Sequence, residues 1–376
     1  MKIVADHHIP FVREYFGHMG ELKLKSGRTI KREDLIDADI LLVRSITRVN
    51  QTLLTGTAVK FVGSVTAGAD HLDTRWLDQQ GIRWCVATGF NAPPVADYVV
   101  ATIAALQTQG HLIHSTTLSK KPFKAAVIGV GNVGRLVVER LQQLNFNTIL
   151  CDPIRAKTEQ HFSSTAIHEL ADVDLITLHV PLTLTGEYST RHFIDKSFLQ
   201  RQKPGCILLN ASRGAIIDAA SLIQHGHHLH WCVDVWEHEP KIDKALLAQA
   251  LIATPHIAGY SVQSKIRGID MMYRLAGEMQ LLPAQTMEPV KIPHQWLTFN
   301  STKQNWQTVV LGVFNPLTIT DMMRTILLPS QQYDALFDEM RNQFNYRHEF
   351  AFTNLTHVNV SPPDLILLKN LGFTMC

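Results

Sequence analysis

Residues 1–90 alternate short, unbroken apolar runs with polar or helix-patterned stretches: KIVAD (2–6), DILLVRS (39–45), VKFVGSV (59–65) and IRWCVA (82–87). Continuous runs of that length mark strands covered on both faces, so the pattern predicts a small α/β unit with a parallel sheet. NAPPVADYVVATIAALQT (91–108) follows, with prolines near its start and an apolar helical run behind them, and reads as a buried helix. A second series runs KAAVIGV (124–130), NTILCD (147–152), VDLITLHV (173–180), GCILLNA (205–211), HWCVDVW (230–236) and ALIATPH (250–256). Six strand candidates separated by helical or turn stretches predict a doubly wound parallel sheet, whose strand ends are where ligands bind.

Beyond Tyr260 the pattern is helical to about Leu282. Residues 283–300 carry three prolines and read as a linker or extended segment. After it, TVVLGVF (308–314) has the look of a strand, while PLTITDMMRTIL (316–327) and YDALFDEMRNQF (333–344) have helical periodicity. The expected organisation is residues 1–93 with 266–285 as one domain, 94–265 as a second, and 286–376 as a small α+β domain.

Composition narrows the partners. A chain of 376 residues exceeds what one core usually supports, and 45% hydrophobic with 18% charged residues is ordinary globular composition. The formal net charge is +2 with Lys and Arg scattered, which argues against nucleic acid or a membrane surface and for a small-molecule partner. MKIVADHHIP lacks the apolar core of a signal peptide, and no apolar run approaches the roughly 18 residues of a membrane span, so a cytoplasmic location is expected. Cys85, Cys151, Cys206, Cys232 and Cys376 form no CxxC pair, and the first four sit in or beside strand-like runs as buried thiols would. The histidine-rich stretch HGHHLH (225–230) has no carboxylate or Cys at ligand spacing, so no metal is assigned to it.

KAAVIGVGNVGRLVVERL places Gly129, Gly131, Asn132, Val133 and Gly134 in a G-x-G-x-x-G turn between a strand and a helix. That order allows a tight turn, close approach of backbone N–H groups to a pyrophosphate, and close helix–sheet packing. Asp152 ends the next strand, where a carboxylate accepts the adenosine ribose hydroxyls and repels a 2′-phosphate, so NAD is the predicted cofactor. Three further strand ends carry chemistry: Arg213 in NASRG (210–214), Glu239 in DVWEHEP (234–240) and His256 in TPHIAGY (254–260). A guanidinium can hold a carboxylate, an imidazole can take a hydroxyl proton, and a carboxylate can orient that imidazole. These are the groups that oxidation of a 2-hydroxy acid requires.

SRG, DVWEHEP and PHIAG, with the glycine turn and LHVPLT (178–183) upstream, resemble the D-isomer-specific 2-hydroxyacid dehydrogenases. The resemblance implies a Rossmann-type sheet inserted in a flavodoxin-like α/β substrate domain, with Arg213, Glu239 and His256 as the catalytic set. It also implies cofactor contacts at Asp152, Ala211, Ser212, Arg213, Asp234 and Gly259. LLVRSIT (41–47), GSVTAGADHLD (63–73), GFNAPPVADYVV (89–100) and HIAGYSVQSKIRG (256–268) are similar to members that take a phosphorylated 2-hydroxy acid and form homodimers through an extra C-terminal domain. By that resemblance Ser45, Thr66 and Tyr260 are substrate contacts. A phosphate also needs a cation, for which Arg44 is the first candidate and Arg48 the second. The alternatives are another member of the same family or a non-catalytic NAD-sensing protein on the same fold.

Overall fold

The computed structural model describes residues 1–112, 121–280, 290–300, 302–344 and 346–376. It divides into two units, Met1–Asn91 with Ser261–Pro293, and Ala92–Tyr260 with His294–Cys376. The first holds β1 (Lys2–Asp6), β2 (Glu21–Lys25), β3 (Ile40–Val43), β4 (Phe61–Ser64) and β5 (Arg83–Val86), parallel throughout and ordered β2-β1-β3-β4-β5. That is the flavodoxin-like order. β3 and β4 are buried at every position, which is why they read as continuous apolar runs, whereas β2 (ELKLK) is a half-exposed edge strand whose lysines hide it in the sequence. The Val262–Glu278 helix, capped by the Ser261 side chain, packs Ile269 and Met272 onto this sheet's core with Ile3, Phe16 and Phe61. The expected continuation of that helix to about Leu282 enters residues 281–289, which lie outside the described residues, as does part of the expected linker 283–300.

The second unit is built on β6 (Lys124–Ile128), β7 (Asn147–Cys151), β8 (Leu175–Leu178), β9 (Ile207–Asn210), β10 (His230–Val233) and β11 (Ile252–Ala253). All pairs are parallel and the order is β11-β10-β9-β8-β6-β7, so the direction of winding reverses between β6 and β8. The glycine turn leaves the C-terminal end of β6 at that switch point. One face of the sheet is covered by the Ala92–Thr108 helix, whose Tyr98, Val99 and Ile103 are fully buried with Val127, Leu209 and Ile252. Residues 294–376 share that core: Val309, Val310, Phe350 and Leu355 belong to the same buried cluster.

β12 (Gln295–Thr298), β13 (Thr353–Thr356) and β14 (Thr374–Met375) form a three-stranded parallel sheet. β12 lies inside the stretch expected to be a linker or extended segment. The strand expected at 308–314 is instead a helix, Trp306–Val313. Its valines suggested β structure, but the Asn305 side chain accepts the Thr308 N–H, and Trp306, Val309 and Val310 are buried at helical spacing. Tertiary burial of one helical face overrides a modest β preference. The helices at Pro316–Leu327 and Tyr333–Asn342 lie where their periodicity predicts. Asn305→Ala is expected to lower stability by about 1 kcal/mol, read as a shift of the denaturant midpoint without a change in slope.

Candidate active site

The glycine turn has the geometry of a dinucleotide cradle. Gly129 has φ +85°, and a Cβ there would stand 2.6 Å from the His179 carbonyl oxygen. A Cβ on Gly134 would stand 2.0 Å from the Gly129 carbonyl oxygen, so the Asn132–Gln143 helix can approach β6 only without a side chain. Gly131, the N-cap, has open space where its Cβ would be, which leaves the helix N-terminus with Asn132 and Val133 accessible to a pyrophosphate. Asp152 follows β7; its carboxylate accepts the Val130 N–H at 2.9 Å and the Arg155 N–H at 3.0 Å. These bonds aim it beside the glycine turn, and the residues fit NAD.

β9, β10 and β11 are neighbours, so their C-terminal ends deliver Arg213, Asp234, Glu239 and His256 side by side. After β9, the Asn210 side chain organises the turn. Its Oδ1 accepts the Ser212 N–H and hydroxyl at 3.0 and 2.8 Å, and its Nδ2 donates to the Arg213 carbonyl at 2.9 Å. Ala211 is half-buried and Ser212 buried; Gly214 follows because a Cβ there would meet the Trp236 backbone at 2.0 Å.

Asp234 is 1% exposed. Its Oδ1 accepts the Thr254 hydroxyl at 2.6 Å and the Ile257 N–H at 2.8 Å, and its Oδ2 accepts the Ala258 N–H at 3.0 Å. Its carbonyl accepts the His256 N–H at 2.7 Å. The carboxylate implied as a cofactor contact thus also fastens the histidine loop. Burial pushes its pKa up, opposed by His256 and by the donors just named. His256 is held at φ +57°, a conformation that costs a non-glycine residue about 1 kcal/mol.

The ring meets Glu239. His256 Nδ1 is 2.8 Å from Glu239 Oε2, and the Trp236 N–H donates to Glu239 Oε1 at 2.9 Å. Burial would raise the Glu239 pKa, but His256, the hydrogen bond to it, and Arg341 outweigh that and hold it below the ordinary glutamate value. An ionised Glu239 assigns the proton to Nδ1 and leaves Nε2 as the free base. Tyr260 lies four residues on, and its hydroxyl accepts from Arg341 Nε at 3.1 Å. Gly259, between them, is half-buried.

Ser45, Thr66 and Arg44 lie in the other unit. Ser45 is exposed; the Thr66 hydroxyl donates to the Gly68 carbonyl at 2.8 Å and lies 2.8 Å from the Ser64 hydroxyl, which in turn is 2.7 Å from His71 Nε2. Arg44 Nε pairs with the buried Asp6 carboxylate at 2.8 Å, while its Nη2 is buried without a partner among the described residues. Arg48 is exposed. Among the described residues the one group spaced for a metal is Asp6, His7 and His8, where the Arg44 charge opposes a cation. Of the cysteines, Cys85, Cys151, Cys206 and Cys232 are buried, and burial pushes the first three thiols up to about 12, so they are inert packing groups. No helix among the described residues is long and apolar enough to cross a membrane.

This constellation is that of a dinucleotide-dependent dehydrogenase. Residues 102–258 match the NAD-binding domain of the D-isomer specific 2-hydroxyacid dehydrogenases. The chain belongs to the D-isomer-specific 2-hydroxyacid dehydrogenase family, and it is an NAD-dependent oxidoreductase. It is 42% identical to erythronate-4-phosphate dehydrogenase of Coxiella burnetii (strain RSA 331) over 99% of this chain and 98% of that one. It is 36% identical to the enzyme of the same name from Enterobacter sp. (strain 638), over 99% and 98%. Among solved structures, NAD-bound 3-phosphoglycerate dehydrogenase of Entamoeba histolytica superposes with a TM-score of 0.61 at 23% identity, covering 74% of this chain and 95% of that one.

Sequence reasoning did not single out three residues that bond to the loop carrying His256. Tyr98, whose hydroxyl is 2.8 Å from that of Thr254, is concealed in an apolar helix; Arg341 and Arg347 are ordinary arginines on or near helical patterns, and no local spacing marks them. A fourth surprise is His179 of LHVP. Its Nε2 lies 2.8 Å from the Thr177 hydroxyl, its Nδ1 is sealed without a partner among the described residues, and burial lowers its pKa to about 3. Because the folded pKa lies below the unfolded value of about 6.5, the unfolded chain takes the proton first. This residue's contribution is complete above that pH and declines as the pH falls toward 3. His179→Gln is expected to flatten the acid side of the stability profile by about 1.4 kcal/mol per pH unit between roughly pH 6 and 4, measured by urea unfolding.

Proposed function

We propose that the protein oxidises the C2 hydroxyl of 4-phospho-D-erythronate with NAD, giving (R)-3-hydroxy-2-oxo-4-phosphooxybutanoate on the route to pyridoxal 5′-phosphate. Near-full-length identity to erythronate-4-phosphate dehydrogenases supports the substrate. The observation that carries the chemistry is the His256–Glu239 pair at the end of β11. His256 Nε2 takes the proton of the C2 hydroxyl while Glu239, on Nδ1, fixes the tautomer and balances the imidazolium that forms. Arg213 holds the substrate carboxylate and the reacting oxygen through its planar donor fork. Bound NAD supplies the two-electron acceptor for the hydrogen leaving C2, and Gly129, Gly131, Asn132, Val133, Gly134 and Asp152 would hold it, with Ala211, Ser212, Arg213, Asp234 and Gly259 as further contacts.

Ser45, Thr66 and Tyr260 are the proposed substrate contacts, and Arg44, oriented by Asp6, the proposed phosphate contact. We also propose a homodimer formed by the C-terminal region. Its Trp296 and Ile366, each 61% exposed, support this, since isolated chains rarely leave large apolar groups so open. The setting in which we place it is the cytoplasm.

The direct test is NADH formation with 4-phospho-D-erythronate, 3-phospho-D-glycerate and unphosphorylated D-erythronate. The first is expected to be preferred, and His256→Ala to lower kcat by about 100- to 10,000-fold while NAD still binds. Preference for phosphoglycerate would overturn the substrate, and NAD binding without turnover of any acid would leave a non-catalytic NAD-binding protein.

A further inference from the structure

The family's NAD-binding match ends at residue 258, yet the acid–base pair has a neighbour far beyond it. Arg341 stands near the end of the Tyr333–Asn342 helix, one helical turn after Phe337, which is fully buried. Residues four apart share a helix face, so the anchoring of Phe337 turns Arg341 inward as well. The Arg341 side chain is 13% exposed, its Nη1 lies 3.9 Å from Glu239 Oε2, and its Nε donates to the Tyr260 hydroxyl at 3.1 Å. A buried guanidinium is retained only where anionic or strong acceptor groups compensate its desolvation, and here those are Glu239 and Tyr260.

A second arginine from the same region secures the loop between them. Arg347, 6% exposed, donates from Nη2 to the Ala258 carbonyl at 2.8 Å and to the Pro94 carbonyl at 2.5 Å, with the Phe314 ring 4.5 Å from its guanidinium carbon. The PHIAG turn, at Ala258, and the Tyr260 that follows it are thus gripped by side chains from 341–347.

We propose that Arg341 is a positioning residue of the acid–base centre: from the C-terminal region it holds Glu239 as a carboxylate against His256 Nδ1 and fixes the Tyr260 hydroxyl. The inference rests on the proposed role of His256 as the base. The charged and titratable groups facing His256 and its partners include Glu239, the Asp234 carboxyl, Tyr260 and Arg341, with Arg213 delivered by the neighbouring strand end and Arg347, Asp97 and Tyr98 packed behind the loop. Arg341 does two things there. It restrains the carboxylate that orients the imidazole, and its charge balances that of Glu239 beside the ring. A C-terminal region that shares its core with the dinucleotide unit thereby becomes part of the catalytic apparatus.

The test uses full-length Arg341→Gln and Arg341→Met, which remove the charge, and Arg341→Lys, which keeps it. Two readouts are taken: the pH profile of kcat/KM, and the pH titration of the His256 ring C–H resonance in NAD-free protein. For Gln and Met, the ascending limb and the His256 titration should both move to higher pH by about 0.5 to 1 unit, with kcat reduced about tenfold or more and KM for NAD unchanged. Lys should return both profiles to the wild-type pH. An unmoved His256 titration in the Gln and Met proteins overturns the inference. So does a loss confined to KM for the acid, which would make Arg341 a substrate contact. Absence of turnover by the wild type would instead overturn the proposed function, and the resonance titration would still decide the place of Arg341.

Discussion

The Asp234 carboxylate is the constraint on which the site depends. It sits at the end of β10 with 1% of its surface exposed, and its two oxygens accept three hydrogen bonds from the segment that follows β11: the Thr254 hydroxyl and the N–H groups of Ile257 and Ala258. A buried carboxylate is costly unless so satisfied, and the satisfaction is directional. Those bonds fix the path of the chain on both sides of His256, and the Asp234 carbonyl fixes His256 itself, so a left-handed backbone becomes tolerable at an imidazole. Tyr98, from the helix buried beneath, reaches the same Thr254 hydroxyl, which ties the loop to the core of its unit.

From that fixed loop the rest of the chemistry follows by short steps. Glu239 is anchored through Oε1 by the Trp236 N–H, which leaves Oε2 for His256. The Trp236 indole donates to the Thr254 carbonyl at 3.0 Å, so the segments after β10 and β11 are joined on their apolar side as well. The NAD-binding half is set by sterics: positive φ at Gly129 and the absence of side chains at Gly131 and Gly134 allow helix, strand and pyrophosphate to converge at the switch point. Electrostatics thus places the proposed acid–base groups, and excluded volume places the proposed cofactor cradle.

Much of this was legible in the sequence. Parallel strands buried on both faces announce themselves as runs such as ILLV and ILLN, and the order strand, glycines, helix, acid picks out Asp152 without any structure. What stayed hidden has specific causes. β2 is a lysine-bearing edge strand; the Trp306–Val313 helix is made helical by an asparagine cap and by burial rather than by propensity; β12 is four residues in a proline-bearing stretch. Nor does any local pattern show that Val309, Val310 and Phe350 lie in one cluster with Tyr98 and Leu209. Arg341 and Arg347 were invisible because their partners are about 80 to 100 residues away or more, and pairings across such separations leave no periodicity to read.

In the proposed reaction hydrogen leaves C2 of the acid for NAD while the Asp234-held, Glu239-oriented His256 takes the hydroxyl proton. The most direct measurement is turnover of 4-phospho-D-erythronate carrying deuterium at C2, with mass analysis of the reduced cofactor. Transfer of the deuterium to the nicotinamide, together with a slower rate than for the protiated acid under single-turnover conditions, is the predicted result. Reduced cofactor free of deuterium would contradict direct transfer from C2, and no reduction at all would contradict the assignment of the site to this oxidation.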